Sequence, residues 1–115
     1  MNIWGQIETL SGRRLATLDQ RKPFDVIRAT GTRVEVLIHS TGNMRHVSRK
    51  AIESGWHYLE REGSLSRDEI QKQGISPRNS SYVTAILAKM PGVTHTLNPL
   101  TLRIIRDAAL RSSQP

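Results

Sequence analysis

Apolar residues recur along this chain with two different periods, and the changeover divides it into parts. Ile3, Trp4, Ile7 and Leu10 fall at helical spacing, which predicts a short helix of about two turns before Ser11-Gly12. So short a helix is marginal alone and needs something to pack on. From Leu15 to Val47 the period becomes two. Phe24, Val26 and Arg28 alternate with Asp25, Ile27 and Ala29, and Val34, Val36 and Ile38 alternate with Arg33, Glu35 and Leu37. Breakers stand at Thr30-Gly31-Thr32 and Ser40-Thr41-Gly42-Asn43, with Pro23 ahead of the second run, so the segment reads as a meander of three or four short antiparallel strands. One face of that sheet is apolar and needs cover from helices.

After Val47 the period turns helical again. Ser48 suits an N-cap, Ile52, Trp56 and Leu59 form a stripe, and Gly63 suits a helix end, giving a helix over 49–62. Gly63-Ser64-Leu65 reads as a brief extended link. Ser66-Arg67-Asp68-Glu69 then matches a capping box, opening a short helix that Gly74 ends after Gln73. Ser76-Pro77 predicts the start of a longer helix over 77–89, with Val83, Ile86, Leu87 and Met90 on its buried stripe and Pro91-Gly92 at its end. For the remainder two readings stand: a hairpin of Val93–Leu97 with Leu100–Ile105, or a helix capped by Asn98 with Pro99 in its first turn. Ser112-Ser113-Gln114-Pro115 reads as a frayed tail. The expected fold is α+β, a short helix plus a small N-terminal antiparallel meander (1–47) leading into three helices and a C-terminal hairpin (48–106), then a tail (107–115), all within one compact domain.

Charge sharpens this picture. The formal net charge is +7, and it is segregated. Residues 1–50 carry nine Lys/Arg against four Asp/Glu, residues 51–69 carry two against five, and residues 70–106 carry five with no acid. A segregated positive excess points to a polyanionic partner, whereas a diffuse one would mean only solubility. With no cysteine there is neither a disulfide framework nor a thiolate metal site, and a reducing compartment fits best. No stretch approaches the roughly 18 apolar residues of a membrane span, and the first residues show no basic region followed by an apolar core, so a cytoplasmic protein is expected.

The order from 48 to 106, a helix, a short link, a capped short helix, a Gly-containing turn, a longer helix and a hairpin, resembles the winged helix-turn-helix family. The segment Gly63-Ser-Leu-Ser-Arg-Asp-Glu-Ile70 is similar to the link and second helix of winged-helix regulators. The hairpin tip at Asn98-Pro99 departs from the family in lacking a long basic wing. The resemblance implies that helix 77–89 is a recognition helix lying in the major groove of double-stranded DNA. At about 100° per residue, its face opposite Val83 and Met90 collects Arg78, Ser81, Tyr82, Ala85 and Lys89. Arg78 and Asn79 are then the base-reading candidates, since Arg forks onto guanine and Asn onto adenine, each good pair discriminating by roughly 1–3 kcal/mol. Lys72, Lys89, Arg103 and Arg106 suit phosphate contacts, which position without specifying sequence, and His95 joins them from the hairpin. Some of the sheet's cations extend the footprint and the others keep the sheet soluble. Five aromatics are few for a protein that stacks single-stranded bases, and Phe24 and Trp56 read as buried, so duplex DNA is favoured.

Two other readings compete. Trp4, Ile7 and Leu10 as an exposed apolar stripe would suit a protein-interaction module or inhibitor binding an acidic partner, and homodimerisation through that helix or a sheet edge would double a DNA footprint. Asp25 and Glu35, on adjacent strands, are the only basis for a small metal-dependent nuclease. Such carboxylates are more often surface ion-pair partners. His39, His46 and His57 lack metal-ligand spacing, and neither a nucleophile elbow nor a phosphate-cradling glycine loop is present. No enzyme, cofactor or small-molecule ligand is therefore expected.

Overall fold

The computed structural model of the chain describes residues 2–76 and 78–105. Pro77, Arg106 and the tail at 112–115 lie outside the described residues. The fold is mixed α+β. It begins with α1 (Ile3–Glu8), followed by β1 (Arg14–Ala16), β2 (Pro23–Ala29), β3 (Arg33–Ile38) and β4 (Met44–Ser48), which form an antiparallel sheet in the order β1-β2-β3-β4. Then come α2 (Arg49–Glu62), β5 (Ser64–Ser66), α3 (Arg67–Lys72), α4 (Ser80–Leu87), β6 (Val93–Thr96) and β7 (Thr101–Ile104), with a second sheet ordered β5-β7-β6.

The meander's inner face is apolar as the period-two pattern requires. Leu15, Phe24, Val26, Val34, Val36 and Val47 are all buried. One position breaks the alternation: between Val26 and Arg28 the register shifts by a bulge at Ile27. Arg28, expected on the same face as Phe24 and Val26, is therefore turned outward to Glu35, with Nε 2.8 Å from Oε1. The bulge places the extra residue on one strand and re-aims the next side chain. Glu35, although on the outer face, is only 5% exposed, because Arg28 and Arg33 close over it.

α1 corrects the expectation of an exposed apolar stripe. Trp4 is 3% exposed and Ile7 and Leu10 are equally enclosed, so this stripe closes the core and is not exposed. Its indole Nε1 donates to the Thr30 carbonyl at 2.8 Å, and the Arg49 guanidinium lies 4.9 Å from its ring centre. α2 keeps the predicted bounds. The Ser48 side chain accepts from the Ala51 N–H at its start, and Gly63 takes the left-handed conformation (φ 83°) at its end. Gly55 lets α2 come close to α4, since a Cβ there would stand 3.1 Å from Leu87 Cδ1.

α3 opens with the predicted capping box. Ser66 Oγ accepts from the Glu69 N–H at 3.0 Å and Glu69 Oε1 accepts from the Ser66 N–H at 2.8 Å. Glu69 also accepts from the Tyr58 hydroxyl at 2.7 Å, which ties α3 to α2. Ser66→Ala is expected to lower unfolding stability by about 1 kcal/mol. Urea denaturation that left the midpoint unchanged would show that the cap contributes nothing.

α4 is shorter than the predicted 77–89. It begins at Ser80, and the Asn79 side chain at its N-cap, instead of capping the helix, is committed to β4. It ends at Leu87 because the amides of Lys89 and Met90 bond three residues back, to Ile86 and Leu87, in a tightened last turn before Pro91. Of the two readings of the C-terminal segment, the structure takes the hairpin. Leu102 pairs with Leu65 on one side and His95 on the other, and its side chain is fully buried beneath the sheet. A helix there would leave the short β5 without a partner and Leu65 without cover.

Candidate nucleic-acid interface

α4 does not present a free face along its length. Ala85, expected on the outward face, is 1% exposed. The meander covers that side: the Phe24 ring meets Tyr82 edge-on with centres 5.2 Å apart, and the Arg45 guanidinium lies 5.8 Å from the Tyr82 ring centre. Asn79 is engaged in both directions, its Nδ2 donating to the His46 carbonyl at 3.2 Å and its Oδ1 accepting from Arg45 Nη1 at 3.1 Å. Ser81 accepts from Arg67 Nη1 at 3.4 Å, and the same Arg67 nitrogen holds Asp19 Oδ2 at 2.6 Å. Of the five positions the helical wheel turned outward, Tyr82 and Ala85 are covered, Ser81 is engaged by Arg67 of α3, and Arg78 and Lys89 are exposed.

Arg78 stands at the open, N-terminal end of α4 and is exposed, as are Lys89 just beyond its other end and His95 and Arg103 on the hairpin. Arg103 and His95 project from opposite faces of the small sheet, since Arg103 lies across from Thr94 and His95 across from the inward-pointing Leu102. Lys72 is exposed too, but Asp68 lies 2.9 Å from its Nζ and holds its pKa above the ordinary lysine value. Arg106 lies outside the described residues. The structure therefore gathers Arg78 with groups the sequence did not place beside it, and leaves Lys89, His95, Arg103 and Lys72 dispersed.

The sequence reading had some of the sheet's cations extend the footprint without saying which, and placed none of them beside Arg78. Lys22, from the turn before β2, and Arg45, from β4, lie in the same corner as Arg78, Asn79 and Tyr82. Arg45 sits on the sheet's inner face, cross-strand from Val36, where an apolar residue would ordinarily stand. A basic residue two positions before the buried Val47, and so on the same face of β4, was the legible signal.

The carboxylates are arranged differently from a metal site. Asp25 pairs in register with Leu37 and Glu35 with Arg28, so the two acids are not cross-strand neighbours. Asp25 is held by Arg14 at 3.0 Å and His39 Nε2 at 3.0 Å. Hydrogen bonds from Arg14 and His39 hold its pKa below the usual carboxylate range, and those from Arg28 and Arg33 do the same for Glu35. Tyr58 and the Ser66 N–H lower that of Glu69. At Asp19, burial works upward but is outweighed by the Arg67 hydrogen bond and charge, so the net shift is downward. Among the described residues no three His, Cys, Asp or Glu side chains gather as a metal would need.

These depressed values carry a consequence for stability. In the unfolded chain these carboxyls take up protons at their ordinary values, near pH 4, whereas in the folded chain they resist until lower pH. Their contribution is complete above the unfolded values and is lost as pH falls through the folded ones. The urea midpoint is expected to be flat near neutrality and to fall progressively below about pH 4. A midpoint that held steady down to pH 2 would contradict these ion pairs.

Taken together, the described residues define an α+β protein in which a basic antiparallel sheet is packed across the outer side of a helix–strand–helix–helix–hairpin unit. No protein-family model, no curated protein and no solved structure matches the chain. No helix among the described residues is long and apolar enough to cross a membrane.

Proposed function

We propose that the chain is a double-stranded DNA-binding module, regulatory or accessory in role, related in design to winged helix-turn-helix proteins and docking mainly through backbone phosphates. The observation that carries this reading is the exposure of Arg78, Lys89 and Arg103 within a segment whose described residues, 70–105, contain no acid. The strand order β5-β7-β6 supports the winged design, because it sets the first short strand beside the last and leaves the hairpin projecting. With its outward face covered, α4 contributes its N-terminal end instead of its length. Arg78 remains available to a base or a phosphate, while Asn79, Ser81 and Tyr82 are engaged within the protein. A cytoplasmic setting accords with this reading.

Fluorescence anisotropy with a labelled duplex tests it. The triple variant Arg78→Gln, Lys89→Gln, Arg103→Gln is expected to bind at least tenfold more weakly than the wild type. Equal affinity for the two proteins would refute the proposed surface.

The covering of α4 favours a second reading, a protein-interaction module whose basic surface meets an acidic protein. Pull-down before and after nuclease treatment separates the two, since a protein partner is retained and a DNA-mediated one is released.

A further inference from the structure

Where the β3–β4 turn passes the start of α4, two hollows of about 470 and 360 Å³ adjoin, sharing Met44 and Arg45 in their walls. Three segments distant in sequence meet there. The turn before β2 supplies Lys22, the β3–β4 turn and β4 supply Thr41, Asn43 and Arg45, and the approach to α4 supplies Arg78 and Asn79. The walls contain three cations and no carboxylate, so the corner carries an uncompensated positive potential. Most cations elsewhere on the sheet and α2 have an acid within reach, as Arg14, Arg28, Arg33 and Arg49 do.

Arg45 is also fixed in place. Its Nη1 donates to Asn79 Oδ1 at 3.1 Å and approaches the Arg78 carbonyl at 3.5 Å, and its guanidinium rests near the Tyr82 ring. These contacts use part of a five-donor fork and leave the other N–H groups for a ligand. A guanidinium already ordered loses less entropy on binding than a free side chain does. Hydroxyl and amide groups of Thr41 and Asn43 border the cations. A fixed guanidinium, an exposed ammonium and neutral donors around these adjoining hollows suit a tetrahedral oxyanion with several acceptor oxygens.

We propose that this cleft binds a phosphate group. Resting on the DNA reading above for its source, the group is a backbone phosphate of the duplex. The N-terminal sheet is thereby part of the interface, seating one strand's backbone where it crosses the start of α4.

The test uses the full chain with two probes, inorganic pyrophosphate followed by amide chemical shifts, and labelled duplex DNA followed by anisotropy over a salt series. Pyrophosphate is expected to shift the amides of Thr41, Asn43, Arg45 and Asn79 saturably. Lys22→Gln and Arg78→Gln, both exposed positions, are each expected to weaken that binding roughly tenfold, the scale of one charge-assisted hydrogen bond. Each is also expected to reduce the salt slope of duplex binding by about 0.9. Lys50→Gln, which removes an exposed cation of α2 outside the cleft, is expected to leave the pyrophosphate affinity unchanged. Three results overturn the proposal: shifts spread over all basic residues, Lys22→Gln and Arg78→Gln variants that bind pyrophosphate as the wild type does, or an equal loss from Lys50→Gln. Localised pyrophosphate binding that those two variants weaken, without duplex binding, supports the cleft and refutes the DNA reading. Duplex binding with an unaltered salt slope in both variants does the reverse.

Discussion

Phe24→Ala is expected to lower unfolding stability by roughly 3–5 kcal/mol, the range for removing a large aromatic from a closed core. Phe24 is fully buried, stands across from Leu15 and Ile38 in the sheet, and meets Tyr82 of α4 edge-on at 5.2 Å. Truncation opens a cavity between two elements that cannot both move to fill it, because β2 is held by β1 and β3 and α4 is held by α2 and α3. Against a total stability of about 5–15 kcal/mol for a domain, the loss is a large fraction. It corresponds to a melting temperature lower by on the order of 10–20 °C. Tyr82→Phe, which keeps the ring, is expected to change stability far less. Should Phe24→Ala melt with the wild type, the sheet would not be packed on α4, and the covered helix face would have to be reconsidered.

The second large effect is on binding. On the DNA reading proposed above, about five phosphate contacts, at Lys22, Arg45 and Arg78 in the cleft and at Lys89 and Arg103 away from it, would release a matching set of counterions. Duplex affinity is then expected to fall on the order of 500-fold between 50 and 200 mM monovalent salt. Anisotropy titrations at four or more salt concentrations give the slope directly. A slope near zero would rule out phosphate-dominated docking, and one much steeper would mean that the dispersed cations of the outer sheet face also engage. The expected insensitivity to sequence follows from the same geometry. With Asn79 tied to β4 and Ala85 enclosed, few side chains are left to read base edges, so scrambling the duplex should alter affinity much less than raising the salt does.

The difference between these two experiments mirrors a difference in what can be read from residues alone. The bounds of α2 were legible because both ends are local: Ser48 caps through its own side chain, and Gly63 takes the left-handed turn without a Cβ penalty. The capping box of Ser66 and Glu69 was legible for the same reason, as was the meander, whose apolar alternation needs only neighbours in sequence. For the C-terminal segment the alternation favoured the hairpin, but Asn98-Pro99 also fits the start of a helix, so local pattern left that alternative standing. Pairing with β5, more than thirty residues earlier, decided it.

For the candidate interface the sequence determined which side chains exist and where charge is concentrated: an acid-free run after Glu69, Arg78 ahead of α4, and a basic residue two positions before Val47. The tertiary structure decided which of them meet. It spent Asn79 on the edge of β4, moved the start of α4 to Ser80, laid Phe24 over Tyr82, and brought Lys22 and Arg45 beside Arg78. The reason is physical. Caps and turns are energies of adjacent residues, whereas the covering of one face by another depends on apolar area supplied by segments some fifty residues apart, which no local period records.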